Sequence, residues 1–401
     1  MQSKPDVPYS VYIHIPFCVQ RCPYCDFNAY AGLDALFDAY VRALIAEIRW
    51  VAVHAPARLR VHTVYFGGGT PSLLPPRAYE ALLLALRDAF ALAEDVEITL
   101  EANPGTLDLA RLRTLRALGF NRLSLGMQAV HPDDLRLLGR IHTFPDVIRA
   151  VAWARRAGWA NVNLDLMYGL PGQPMSRWQA TLQWALRLAP EHISAYALTL
   201  EHGTPMAAWV ARGLVPPIDD DLAADMYEWT MDALAEAGFV QYEISNWARR
   251  STQGQLWASR HNLQYWRSDP YLGLGAGAHG WVAGYRTVNV RSPHAYIARW
   301  QQPPSEPPRP FPWTPSLVHM HRPSPTEALG EYMMMRLRLT QEGVSWAEVR
   351  RRFGIEPERA FADALTRLHG WGLIEPIPGG IRLSRRGRLL ANWVFEAFLP
   401  E

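Results

Sequence analysis

Short apolar runs alternate with longer amphipathic stretches through the first 240 residues. The runs at 11–15, 63–66, 97–101, 122–126, 161–167 and 193–200 have the length and apolar content of strands in a covered parallel sheet. The stretches between them carry a helical stripe. In 33–48, Leu33, Leu36, Phe37, Tyr40, Val41, Leu44, Ile45 and Ile48 recur at i, i+3, i+4 and i+7. Similar patterns predict helices near 77–90, 107–118, 132–139, 145–157, 176–188 and 219–237. Six strand-then-helix units predict an α/β fold, a parallel sheet with covering helices. They either close into a partial barrel or lie open and doubly wound. Both arrangements place functional residues at the C-terminal ends of the strands.

The pattern changes after residue 302. Prolines crowd 303–325, which predicts a linker, because proline neither continues a helix nor donates into a sheet. Helices follow at 327–340, 345–353 and 357–371. A hairpin of 373–375 and 381–383 about a Pro-Gly-Gly turn comes next, then a helix at 385–398. This predicts a small α+β winged-helix-like C-terminal domain. The division expected is 1–240 for the barrel, 241–302 for an extension, 303–326 for the linker and 327–401 for the last domain.

Composition narrows the function. Of 401 residues, 49% are hydrophobic and 19% charged, enough apolar content for a sizeable core. The formal charge is 40 − 38 = +2. From Glu327 onward, 11 arginines meet 10 acids. Neither balance is the footprint of a nucleic-acid partner. No stretch reads as a signal peptide or a membrane span, so a cytoplasmic protein is expected, with peripheral membrane contact left open.

The three cysteines, Cys18, Cys22 and Cys25, lie within eight residues directly after the first strand. That count excludes a disulfide framework and suggests a reducing compartment. Thiolates suit iron–sulfur clusters, zinc or Cu(I). Three of them can serve three irons of a [4Fe–4S] cube and leave the fourth open to a chelating molecule. Zinc held by the three cysteines and His14 is the competing reading, and it leaves the remaining motifs unexplained.

Those motifs sit at strand ends. Gly67-Gly68-Gly69-Thr70-Pro71 follows the second strand, where glycines let backbone amides approach a ligand. Glu101 ends the third, Gln128 follows the fourth, Arg140 comes twelve residues later, and Asp165 lies in the fifth. Charged and amide groups in apolar strands are costly to bury unpaired, so each is expected to meet a partner or a ligand.

Together, Y-x-H-I-P-F-C-x-x-x-C-x-Y-C and GGGTP resemble the radical S-adenosylmethionine (SAM) superfamily, in its coproporphyrinogen III oxidase-like branch. The resemblance implies a (βα)6 partial barrel and an open iron that chelates SAM. It also implies reductive cleavage of SAM to a 5′-deoxyadenosyl radical, which calls for a low-potential electron donor. It places Tyr12, Gly68 and Glu101 at the SAM on the cluster. Tyr24, Gly69, Thr70, Gln128, Arg140 and Asp165 match contacts to a second SAM in that branch.

Two relatives compete for the resemblance. The dehydrogenase pattern has a fourth cysteine two residues after the third, where this chain has Phe27, and a long N-terminal extension. His261-Asn262-Leu263-Gln264-Tyr265-Trp266 instead resembles the H-N-x-x-Y-W motif of the heme-chaperone HemW family. That resemblance implies heme binding and delivery to acceptor apoproteins, those of the respiratory chain among them. His261, Asn262, Tyr265 and Trp266 are then the expected heme contacts. An imidazole is a good axial ligand, aromatic rings offer flat surface, and an arginine such as Arg260 pairs with propionates. His279 competes as the ligand. Met333–Met335 offer thioethers, though core packing is their expected role. Oxidative decarboxylation of coproporphyrinogen III is the rival activity.

Overall fold

A computed structural model of the chain describes residues 7–302 and 309–399. Six parallel strands form its central wall: β1 (Tyr9–Ile15), β2 (Arg60–Gly68), β3 (Ala91–Ala102), β4 (Arg122–Gln128), β5 (Val162–Tyr168) and β6 (His192–Ala197). They pair in strict sequence order, each beside its successor. A doubly wound sheet would reverse order at a switch point. The unbroken order decides for the partial barrel. The sixth strand stops at Ala197, short of the expected residue 200.

Helices α1 (Phe37–His54), α2 (Pro76–Ala89), α3 (Leu109–Leu118), α4 (Pro132–Leu137), α5 (Phe144–Arg156), α6 (Met175–Arg187) and α7 (Asp220–Glu236) connect and cover the strands. Their ends follow local chemistry. Asp108 accepts from the Arg111 amide to start α3, and Gly119, at φ +113°, ends it. Thr143 and Asp146 form a capping box on α5. The stripe of α1 is buried at Tyr40, Val41, Leu44, Ile48 and Val51, against Val11, Ile13 and Phe66 of the sheet's apolar core.

Among the described residues the sheet reaches beyond the six units to twelve strands. On the β6 edge, β7 (Phe239–Glu243) and β8 (Asn246–Arg249) add an antiparallel pair. On the β1 edge, β9 (Tyr271–Leu274) runs parallel to β1. Then β10 (His279–Val282), β11 (Tyr285–Asn289) and β12 (Leu317–His321) form a meander. Helix α8 (Arg260–Trp266) lies between these additions in sequence. The stretch 303–326 is therefore not linker throughout. Its first six residues lie outside the described ones, and Leu317–His321, between Pro315 and Pro323, forms an edge strand, a place that tolerates flanking prolines.

Toward the C-terminus, α9 (Pro325–Leu337) and shorter helices surround a three-stranded sheet of Val344–Ser345, Gly380–Leu383 and Ile374–Ile377. The predicted helix 357–371 is broken at Phe361, and 385–398 at Leu390. Met333 is fully buried in this second core, beside Leu337, Val344 and Val394. Among the described residues no helix is long and apolar enough to cross a membrane.

Candidate functional site

The C-terminal ends of the barrel strands surround a cavity of about 360 Å³. Cys18, Cys22, Tyr24, Cys25, Gly68, Gly69, Thr70, Glu101, Gln128, Arg140 and Asp165 all line it, as does Asn262. Tyr12, His261, Tyr265 and Trp266 do not.

Backbone bonds fasten the cysteine loop to the glycine loop. The Gly69 amide donates to Ile15 O at 2.9 Å and the Thr70 amide to Phe17 O at 2.7 Å. Thr70 Oγ1 lies 3.5 Å from Cys18 Sγ. A Cβ on Gly69 would stand 2.6 Å from Phe17 O and 3.0 Å from Cys18 Sγ, so only glycine fits there. Across the cavity Arg140 donates to Gly126 O at 3.1 Å and reaches Cys22 Sγ at 3.8 Å. Its Nε is buried without a partner. Burial raises the Cys18 thiol and pushes Cys25 up to about 11, so cluster assembly must displace protons from both.

His14 is not available as a fourth zinc ligand. Its Nδ1 pairs with the Tyr12 hydroxyl at 2.9 Å and its Nε2 with Asn28 O at 2.9 Å. Burial lowers it to about 4. Among the described residues no three His, Cys, Asp or Glu side chains are placed to grip one bare ion. Thiolates that serve three separate irons need not converge on one point.

Glu101 and Asp165 are positioned by different means. Glu101 Oε1 accepts from Tyr65 Oη at 2.7 Å, and Oε2 from the Gly68 amide at 3.1 Å. Burial outweighs these bonds and raises the carboxyl to about 7. Asp165 Oδ1 accepts from Asn163 at 2.8 Å and Oδ2 from Ser124 at 3.0 Å. Burial raises its pKa also. Gln128 reaches the cavity through a bulge in β4, with φ +65°, a strained setting for a residue with a side chain. Gly126 leaves room for it: a Cβ there would meet the Arg140 guanidinium at 2.9 Å and Gln128 Nε2 at 3.0 Å.

The sequence reading passed over Arg122 and Tyr65. Arg122 is 2% exposed, lines the cavity and leaves its Nε unpartnered. It is the cation that acts on both Glu101 and Asp165. Its one sequence signal is a charge opening an otherwise apolar strand, in RLSLG. Tyr65, inside TVYF, gives no signal, because tyrosine is an ordinary strand residue.

The HNLQYW segment forms α8, packed beside β2 rather than open to the cavity. His261 is 1% exposed. Its Nδ1 pairs with Thr63 Oγ1 at 2.8 Å and its Nε2 with the Tyr265 hydroxyl at 2.7 Å. Its ring stacks on Tyr65 at 4.9 Å, and burial lowers it to about 3. No lone pair of His261 faces a ligand. The Tyr265 ring meets Tyr271 edge-on, and Trp266 lies under the Arg338 guanidinium at 4.3 Å. Arg260 is engaged by Asp95 at 2.6 Å. Within this motif only Asn262 reaches the cavity.

The donor set fits a cluster with SAM: three thiols, a glycine cradle beside them with Glu101 bonded to it, and Gln128, Arg140 and Asp165 lining the same cavity. Comparison with known proteins points the same way. Residues 12–185 match the radical SAM superfamily, and 324–390 match the HemN C-terminal domain. The fold resembles the coproporphyrinogen III oxidase (HemN) from Escherichia coli, a radical SAM enzyme. The TM-score is 0.81 over 98% of this chain and 91% of that one, at 24% identity. The chain is 38% identical to the heme chaperone HemW of Mycobacterium tuberculosis, covering 100% of this chain and 97% of that protein. Its identity with the heme chaperone HemW of Bacillus subtilis is 36%, over 98% and 99%. The Escherichia coli heme chaperone HemW is 41% identical over 72% of this chain and 76% of its own length. By this full-length similarity and the radical SAM match, the chain belongs to the HemW family within the radical SAM superfamily.

Proposed function

We propose that the chain is a heme chaperone: it binds heme, carries a [4Fe–4S] cluster and SAM, and passes heme to acceptor apoproteins. Full-length similarity to two heme chaperones carries this reading. The superfamily implies the cluster and SAM; heme comes from the names of the relatives. Oxidative decarboxylation of coproporphyrinogen III has the fold match on its side, but that match, at 24% identity, speaks for the fold alone. Phe27, where that enzyme's pattern has a cysteine, speaks against it.

In this reading Cys18, Cys22 and Cys25 hold three irons. When bound, the cluster supplies an electron and an open iron for SAM. The Gly67–Gly69 backbone, Thr70 and Glu101 take the amino-acid end of SAM, and Tyr12 supports them through His14. Tyr24 and Arg140, beside Cys22, and Gln128 and Asp165 line the part of the cavity where a second SAM or another guest would rest. Of the units expected at 1–240 and 327–401, the described residues make up the barrel and the C-terminal unit. We place the protein in the cytoplasm, with a low-potential electron donor and with acceptors that include membrane-bound respiratory proteins.

The test is a transfer assay. Anaerobically reconstituted protein loaded with one equivalent of hemin should hand it to a heme-free acceptor, seen as the acceptor's Soret band. The same preparation with SAM and reductant should leave coproporphyrinogen III unchanged. Failure to take up hemin stoichiometrically, or robust formation of protoporphyrinogen IX, contradicts the reading.

A further inference from the structure

The residue opposite Tyr12 in β2 is Tyr65, and opposite it in β9 is Gly273. The β9–β10 pairing at Tyr271 and Trp281 then sets His279 beside Gly273. His279 pairs with Val288, and Val288 with His319. Residues paired across adjacent strands project from the same face of a sheet. Tyr65 lines the cavity. His279, Val288 and His319 therefore stand on the cavity's face of the sheet, on the ledge that the added strands build outside the barrel. A Cβ at Gly273 would run into the His279 backbone carbonyl, so only glycine lets β10 fold back against β9 there.

His279 is exposed, unlike His261. Within the described residues its ring has no hydrogen-bond partner. Partial burial, then Arg291 and Arg286, lowers its pKa and keeps the imidazole neutral. It begins β10 at the same end of the sheet as the cysteine loop. Asn28 clasps the two together, donating to Ala276 O at 3.0 Å and Arg291 O at 2.9 Å. Phe27, next to that clasp and 64% exposed, lines the cavity mouth. Arg291, at the end of the same clasp, is exposed.

Resting on the heme-carrying reading above, we propose that His279, not His261, supplies the axial imidazole to the heme iron, at the ledge beside the cysteine loop. An open imidazole, an exposed aromatic ring and an exposed guanidinium meet the three demands of heme: a ligand for iron, a flat apolar contact and a partner for a propionate. His261 has both ring nitrogens engaged and would have to break two buried hydrogen bonds to ligate. The ledge is open to solvent on one side, which suits a cargo that must leave.

The full chain, titrated with hemin and followed by absorbance and electron paramagnetic resonance, tests this. His279→Ala should weaken hemin binding tenfold or more and remove the histidine-ligated spectrum. Added imidazole should restore that spectrum. His279→Met should keep binding but change the ligand signature, which a loss of folding would not do. His369→Ala, an exposed histidine in the C-terminal helix Ala362–Gly370, should behave as wild type. If wild type binds hemin and both His279 variants keep its affinity and spectrum, the assignment is overturned while the heme reading stands. If wild type takes up no hemin, both fall.

Discussion

Tyr65 Oη donates to Glu101 Oε1 at 2.7 Å, and the Tyr65 ring stacks on His261 at 4.9 Å. One side chain thus joins the proposed SAM carboxylate to the HNLQYW helix. The motif braces the cavity wall through Tyr65, and of its residues only Asn262 lines the cavity.

Tyr65→Phe keeps the ring and removes the hydroxyl. A hydrogen bond to a charged group contributes about 1.5–3 kcal/mol, so SAM affinity should fall roughly tenfold or more. Iron and sulfide content should stay at wild-type levels. Equilibrium dialysis with labelled SAM, beside metal analysis, reads both.

Gly69→Ala forces a methyl group against Phe17 O and Cys18 Sγ. The cysteine loop must move, so reconstituted iron should drop well below four per chain. At Gly68 the backbone is left-handed, with φ +117°, and a Cβ would meet the His14 ring at 2.5 Å. Gly68→Ala should cost about 1–3 kcal/mol in urea unfolding even without iron.

The pH dependence has two arms. Glu101 is raised to about 7 from an unfolded value near 4.5, so the folded chain holds its proton more tightly. That contribution is complete below pH 4.5 and is lost as pH rises through 7. A ligand ammonium favours the ionised form, so SAM should stabilise the protein more at pH 8 than at pH 6. His14 and His261 are lowered to about 4 and about 3. Their contribution is complete above 6.5 and is lost as pH falls toward those values. Thermal melts from pH 5 to 8, with and without SAM, show both arms. A SAM-induced shift that is larger at pH 6 contradicts the Glu101 assignment.

Arg122→Gln removes the buried cation that acts on Glu101 and Asp165. Both carboxyls should then titrate higher. The pH at which SAM binding reaches half its maximum should move upward, with the cluster intact. An unchanged midpoint would show that Arg122 acts only in packing.

The six units were legible because their strands are covered on both faces and their helices carry clear stripes, as in β4 and α1. The cysteine loop and GGGTP were legible because such spacing has few structural uses. The added strands were not. Tyr271–Leu274 and His279–Val282 are four residues each, interrupted by Gly273 and Gly280, and they form because β1 offers a free edge. Leu317–His321 was hidden among prolines. His261 looked like an open ligand because residue type does not reveal what the ring already bonds. Thr63, its partner, lies 198 residues away. Arg122 and Tyr65 matter through the carboxylates they face, and only the strand register brings them there.

The most direct measurement is electron paramagnetic resonance of the reduced, reconstituted chain before and after SAM. Three thiolates from Cys18, Cys22 and Cys25 leave one iron free, so SAM should shift the cluster's g-values, and the shift should weaken in Glu101→Gln. A cluster signal indifferent to saturating SAM, or a wild-type signal in Cys22→Ala, would contradict an open-iron cluster in this cavity.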